Sequence, residues 1–108
     1  MSIFKENGIL KTYCGDDFKI SFKIKNLIPV ALYKFCLQIN CEEAPIKKEV
    51  EGTTDQSGFY TAVFEVTNED TEVEPQKVTI GVKACRQDNE DTVYEGIIEF
   101  KEKVVEGN

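Results

Sequence analysis

With 108 residues, the chain is long enough for one domain with a buried core and short for two. Apolar residues make up 41% of it and charged residues 31%, the balance of an ordinary globular protein. The formal net charge of -7 disfavours binding to nucleic acid or to an anionic membrane, and no apolar run approaches the roughly 20 residues of a spanning helix. We therefore expect a single domain over residues 1–108 that binds neither nucleic acid nor membrane.

Alternation of apolar and polar residues predicts four strands in the first half of the chain. They cover residues 9–13, 18–25, 34–40 and 46–50. The clearest is the second, because its sequence FKISFKIK places only apolar side chains on one face and three lysines with a serine on the other. A loop that contains Pro29 follows it, and the charged segment 46–50 is typical of a short edge strand.

Three more strands, separated by polar turns, are predicted in the second half. The strands cover residues 59–66, 77–85 and 92–101, and the turns cover residues 51–58, 67–76 and 86–91. Thr67 and Asp70 have the spacing of a capping box, which favours one helical turn there. We expect the tail, residues 102–108, to fray, so that the core of the domain spans about 9–101.

About seven short strands without an amphipathic helix predict an all-β protein, a single Ig-like antiparallel β-sandwich. The chain lacks Trp and has no Cys in its second strand, so no disulfide pins the two sheets together. The predicted core consists of the inward apolar side chains of both sheets: Phe18, Ile20, Phe22, Ile24, Phe35, Leu37, Ile39, Tyr60, Phe64, Val78, Ile80, Val82, Tyr94, Ile98 and Phe100.

The four cysteines are Cys14, Cys36, Cys41 and Cys85. Because charged residues interrupt any signal-peptide core at the N-terminus, we expect synthesis in the cytoplasm and reduced thiols. The chain has no His and no C-x-x-C pair, so the ligand spacing of a zinc site is absent. We expect these residues to act as small, partly buried apolar side chains.

No catalytic set of residues is apparent. Without His, neither a Ser-His-Asp triad nor a Cys–His pair is possible, and the seven glycines are too scattered for a phosphate-binding loop. The acidic segment 88–91 lacks the central Gly of a calcium loop. We therefore expect no enzyme activity, with no catalytic residues, metal site, cofactor or small-molecule substrate.

A candidate protein-contact face is formed by outward residues of the second and fifth predicted strands, which share a sheet in the Ig-like arrangement. Its residues are Lys19, Lys23, Lys25, Phe59, Thr61 and Val63. Exposed lysines more commonly form the hydrated side of a sheet, where cross-strand pairs with residues such as Glu65 keep the face wet. Against this, an apolar pair flanked by lysines is the composition of a modest protein interface.

Five short motifs occur in an order that resembles a family of phage proteins. They are Gly15-Asp16 before an alternating strand, the Pro29 loop before YKFCLQI, Asp55-x-x-Gly58-x-Tyr60, Thr67-x-Glu69-Asp70-Thr71, and Gly96-x-Ile98-x-Phe100. Residues 13–103 are similar to the Ig-like N-terminal domain of siphophage baseplate upper proteins and to related small prophage structural proteins. The resemblance implies a non-catalytic virion component of the tail or baseplate, which docks onto other virion proteins, often as a ring of identical copies.

An alternative function is an Ig-like interaction or carbohydrate-binding module of a bacterial cell-surface protein. Exported context and exposed aromatic residues would favour it, whereas this chain has no Trp and no signal at its N-terminus. On the phage interpretation, we expect the protein in the cytoplasm when it is synthesised and then in the virion.

Overall fold

The computed structural model describes residues 3–103 of the chain, and its regular structure there is entirely β-strand. In chain order the strands are β1 (Ile3–Glu6), β2 (Ile9–Tyr13), β3 (Phe18–Ile24), β4 (Leu32–Ile39), β5 (Ile46–Thr53), β6 (Tyr60–Val66), β7 (Gln76–Arg86) and β8 (Asn89–Lys101). Of the tail that was predicted to fray, residues 104–108 lie outside the described residues.

Six strands form one sheet in the order β1-β2-β8-β7-β4-β5, and the second sheet consists of β3 and β6. This order separates β3 and β6 from β4, β7 and β8, as the Ig arrangement does. The predicted all-β Ig-like sandwich is therefore confirmed, and all four cysteines are free. One detail differs from an antiparallel sandwich, because β2 pairs with β8 in parallel, with Leu10 opposite Ile98.

Residues 3–103 contain eight strands where the sequence predicted about seven, because β1 was missed. β1 pairs with β2 through a hairpin whose turn residues are Asn7 and Gly8, both with positive φ (53° and 79°). Asn-Gly is the preferred pair for such a two-residue turn. Alternation of apolar and polar residues did not predict β1, since three of its four residues are exposed at the edge of the sheet.

Several boundaries also move. β5 is an edge strand, as predicted, but it continues to Thr53. The predicted loop at residues 86–91 shrinks to a tight turn at Gln87 and Asp88, because the polar residues on either side still pair along β7 and β8. At 67–76 there is a hydrogen-bonded turn and no helix. Thr67 N–H donates to Asp70 Oδ2 (2.9 Å) and Asp70 N–H to Thr67 Oγ1 (3.3 Å), the reciprocal bonds of the predicted capping box.

The core lies between the two sheets, and every predicted core residue is buried or half-buried there. Aromatic side chains join the layers. Phe22 of β3 contacts Tyr94 of β8 at 4.8 Å between ring centroids, and Phe35 of β4 stacks on Tyr60 of β6 at 4.8 Å. Alternation also predicts inward faces for Ala62, Val66 and Ala84, and these residues are buried. The structure adds four further buried residues to the prediction: Ala31, Tyr33, Cys41 and Ile46.

Candidate functional site

The register of β3 and β6 brings the six candidate contact residues together on the outer side of the two-stranded sheet. Lys19 lies opposite Glu65, Ser21 opposite Val63, and Lys23 opposite Thr61. Residues directly opposite each other on paired strands project to the same side, so these rows form one surface. Lys25 and Phe59 lie one residue beyond the strand ends, where the Leu27 N–H bond to the Gly58 carbonyl (3.0 Å) continues the pairing. We call this surface, formed by Lys19, Lys23, Lys25, Phe59, Thr61 and Val63, the lysine face.

The lysine face carries more positive than negative charge. Its one ion pair in residues 3–103 joins Lys19 to Glu65 at 4.0 Å, with both side chains at least 70% exposed. Such an exposed pair contributes little free energy, because water screens it. Lys23 and Lys25 form no ion pair with any described residue. The expected cross-strand Lys–Glu pairing is thus present in one row only.

The apolar part of the lysine face is small. Val63 is 44% exposed at the centre of the surface. Phe59 is half-buried, and its backbone is fixed because its N–H donates to Asp55 Oδ1 (3.0 Å) and its carbonyl accepts from Asp55 N–H (3.1 Å). The arrangement could contact a protein surface that is acidic at its edges and has a shallow apolar centre.

A second exposed surface was not predicted. The segment between β3 and β4 exposes Ile28 (48%) and Val30 (67%), and Leu32, the first residue of β4, is 61% exposed; we call these three residues the apolar loop. Sequence reasoning identified this segment only as a loop because of Pro29. A run of apolar residues in a loop was the available signal, since exposed loops are usually polar and apolar clusters on a surface often mark contact sites.

Thr54 holds the apolar loop in one conformation. Its side chain is buried, where the hydroxyl accepts from Ala31 N–H (2.9 Å) and donates to the Ile28 carbonyl (2.6 Å). The hydroxyl of Tyr33 accepts from Ile28 N–H at 3.1 Å. These bonds satisfy backbone groups that a loop would otherwise leave to water, so the apolar side chains project from a fixed backbone.

Val30 has an unusual backbone conformation, with φ of 49°. This left-handed region is unfavourable for a β-branched residue, so the surrounding structure must hold it. The bond from Val30 N–H to the Asp55 carbonyl (3.1 Å) supplies part of that restraint. Strain of this kind in an exposed apolar residue favours a role in recognition over one in folding.

The outer side of the six-stranded sheet has a groove of about 340 Å³ above Gly81, which has no side chain to fill it. Next to it, hydrogen bonds of 2.7 Å run from Gln38 to Asn40 and from Asn40 to Thr79. The charged residues that line it are Lys47, Lys48, Glu49, Lys83 and Glu95. No set of three metal-binding side chains converges within residues 3–103.

Two of the thiols, Cys41 and Cys36, have clearly raised pKa values. Burial raises the pKa of Cys41 to about 11, with a further contribution from Glu43. Burial likewise raises the pKa of Cys36 to about 11, and the adjacent Cys85 thiol adds to the effect. Thiols with such raised pKa values are protonated at neutral pH and react slowly. Cys41 lies in the core and Cys14 packs against it, as predicted, whereas Cys36 and Cys85 are half-buried on the outer side of the six-stranded sheet.

Comparison with protein families, with curated proteins and with solved structures found no match. The resemblance to phage structural proteins therefore stays a prediction. The described part of the chain contains no helix long and apolar enough to span a membrane.

Proposed function

We propose that this chain is a non-catalytic structural protein of a phage or prophage virion, acting through protein–protein contacts in the tail, the baseplate or another virion component. The ordered motifs between residues 13 and 103 support the phage assignment. The lysine face supports contact as the mode of action. On this proposal the protein is made in the cytoplasm and becomes part of the particle with other virion proteins.

The observation that carries the proposal is the unbalanced charge of the lysine face. The chain as a whole has a net charge of -7, yet Lys23 and Lys25 form no ion pair within residues 3–103. An acidic patch on a partner would supply the missing charges, speed association and fix the orientation of docking. Val63 would lie in the dry centre of such a contact.

The apolar loop supports the same mode of action. Its backbone is already held by Thr54 and Tyr33, so little conformational entropy would be lost when Ile28 and Val30 are covered. A convex, fixed apolar loop suits insertion into a recess of another protein, in the way that buried anchor residues act at interfaces.

The proposal is tested by asking whether the protein is part of assembled particles. Cells that carry the gene are induced, particles are purified on a density gradient, and their proteins are quantified by mass spectrometry. We expect the protein in the particle fraction at a constant ratio to the major tail protein. Abundance in the lysate together with absence from particles would contradict the proposal.

A deletion strain and the same strain with the gene restored provide the matched control. We expect deletion to leave particles that lack a tail or baseplate feature in electron micrographs, and restoration to return it. Normal particles from both strains would contradict a structural role. Binding of the purified protein to bacterial surface glycans would favour a cell-surface carbohydrate-binding module instead.

A further inference from the structure

β5 is the last strand of the six-stranded sheet, and in residues 3–103 it pairs on one side only, with β4. An edge strand offers unpaired backbone N–H and C=O groups to a further strand. The Tyr60 hydroxyl donates to the Glu51 carbonyl (3.4 Å), so this carbonyl points away from β4. Backbone groups two residues apart point the same way, so those of Lys47 and Glu49 also face the open side.

The first half of β5 carries positive charges and the second half negative charges. Lys47 and Lys48 come first, and Glu49 and Glu51 follow. Lys47 and Glu49 are exposed on the outer side, whereas Ile46 and Val50 face the core side as buried and half-buried residues. Lysines on an edge strand usually prevent pairing with another chain. Here the glutamates make the same strand complementary to its own antiparallel copy.

We propose that two copies of this chain associate through their β5 strands, antiparallel and around a two-fold axis that passes next to Lys48. In this register Lys47 lies opposite Glu49 of the second copy, and Ile46 lies opposite Val50 of the second copy. Each Lys47–Glu49 row combines an ion pair with two backbone hydrogen bonds, because both residues direct their backbone groups outward. The contact is the same on both copies, as a two-fold axis requires.

The structure favours this register over its neighbours. A shift by one residue would place core-side residues against outer ones. A shift by two places Glu49 opposite Glu49 of the second copy in one direction and Lys47 opposite Lys47 in the other. The first of these two shifts also pairs Glu51 with Lys47, which requires the Glu51 carbonyl to leave Tyr60. The proposed register brings Lys48 opposite itself, but each Lys48 is neutralised in its own chain by Asp70 at 2.8 Å.

The inference does not rest on the proposed function and applies whether or not the chain is a virion protein. It is tested by analytical ultracentrifugation of the full chain over a concentration series. We expect a monomer–dimer equilibrium for the natural sequence. Lys47→Glu and Glu49→Lys should each raise the dimer dissociation constant at least about tenfold, since each replaces two attractive rows by two repulsive ones. The double variant Lys47→Glu with Glu49→Lys should return it to near the natural value.

Glu51→Lys is the matched control, because it reverses a charge on the same strand and side but outside the proposed rows. We expect a much smaller rise in its dissociation constant, because Glu51 lies opposite Pro45 of the second copy and only diagonal to Lys47. Circular dichroism establishes that each variant is folded. A natural chain that stays monomeric at about 1 mM would overturn the proposal. So would a dimer that both single reversals leave intact, or a double variant that fails to associate.

Discussion

The outer sides of the two sheets differ in how their lysines are paired. On the six-stranded sheet, Lys11 lies 2.7 Å from Glu6 and 3.6 Å from Glu99, and Lys83 lies 3.4 Å from Glu90. The hydrogen bond to Glu6 raises the pKa of Lys11. On the lysine face, the Lys19–Glu65 distance is 4.0 Å. The difference is one of degree, because on the six-stranded sheet Lys34 lies 4.0 Å from Glu49, and Lys47 and Lys77 form no ion pair with a described residue. The six-stranded sheet thus holds close ion pairs as well as unpaired lysines, whereas the lysine face has a single, loose pair.

The inner sides of the same sheets show no such difference, because both supply large apolar side chains to one core. We expect Phe35→Ala and Phe22→Ala to lower the free energy of unfolding by about 3–5 kcal/mol each. Phe35 is 0% exposed and Phe22 8%, so Phe35→Ala should have the larger effect. Urea unfolding measures both. Little effect of Phe22→Ala would mean that the lysines of β3 face inward.

The buried hydroxyl of Thr54 binds two backbone groups of the apolar loop. Thr54→Val removes the partner of Ala31 N–H and the donor to the Ile28 carbonyl, and should cost about 1–3 kcal/mol. The neighbouring, exposed Thr53→Val is the control and should have little effect. Hydrogen exchange of the Ala31 amide should accelerate only in the Thr54 variant. Equal costs for the two variants would show that Thr54 does not hold the loop.

The lowered pKa of Asp70 leads us to expect that the stability of the fold depends on pH. Burial opposes its charge, but hydrogen bonds from Lys48 and Thr67 outweigh burial and leave its pKa below the ordinary 3.8. A carboxyl with a lowered pKa stabilises the fold above that value and loses its contribution as the pH falls through its folded pKa. We expect Asp70→Asn to be less stable than the natural chain at pH 7, with the difference shrinking below about pH 4. A difference that is constant with pH would contradict this role.

Lys23 should have the smallest effect on stability. It is exposed and makes no ion pair in the described part of the chain, so Lys23→Ala should change the free energy of unfolding by less than about 0.5 kcal/mol. Urea unfolding at low and high salt measures it. A larger loss that disappears in high salt would reveal an internal charge partner and weaken the case for the lysine face.

The parts of the fold that were predictable are those set by local pattern. In β3, alternation determines that Phe22 is buried and Lys23 exposed, because successive side chains of a strand point to opposite faces of the sheet. The Thr67–Asp70 box was likewise visible, since its spacing alone positions the two side chains. The pairing of distant strands could not be predicted in this way. The parallel pairing of β2 with β8, for example, joins segments that are separated by most of the chain.

Of the two candidate surfaces, one depends on local pattern and was predicted, and the other depends on a distant contact and was not. The lysine face was predictable because alternation assigns its residues and the Ig order pairs β3 with β6. The apolar loop was not, because its exposure depends on Thr54, which lies 26 residues after Ile28. The lysines and glutamates of β5 are visible in the sequence. Their role in pairing with a second copy could be inferred only once the structure placed β5 at the edge of the sheet and showed the contact of Tyr60 with Glu51.

The central claim is that the chain acts by contact through the lysine face. Its most direct test is the amount of protein in purified particles for two charge-matched double variants. Lys23→Glu with Lys25→Glu changes the lysine face, and Lys5→Glu with Lys77→Glu changes exposed lysines of the six-stranded sheet. We expect the first variant to be folded yet lost from particles and the second to be incorporated normally. Equal incorporation of both variants would contradict the claim.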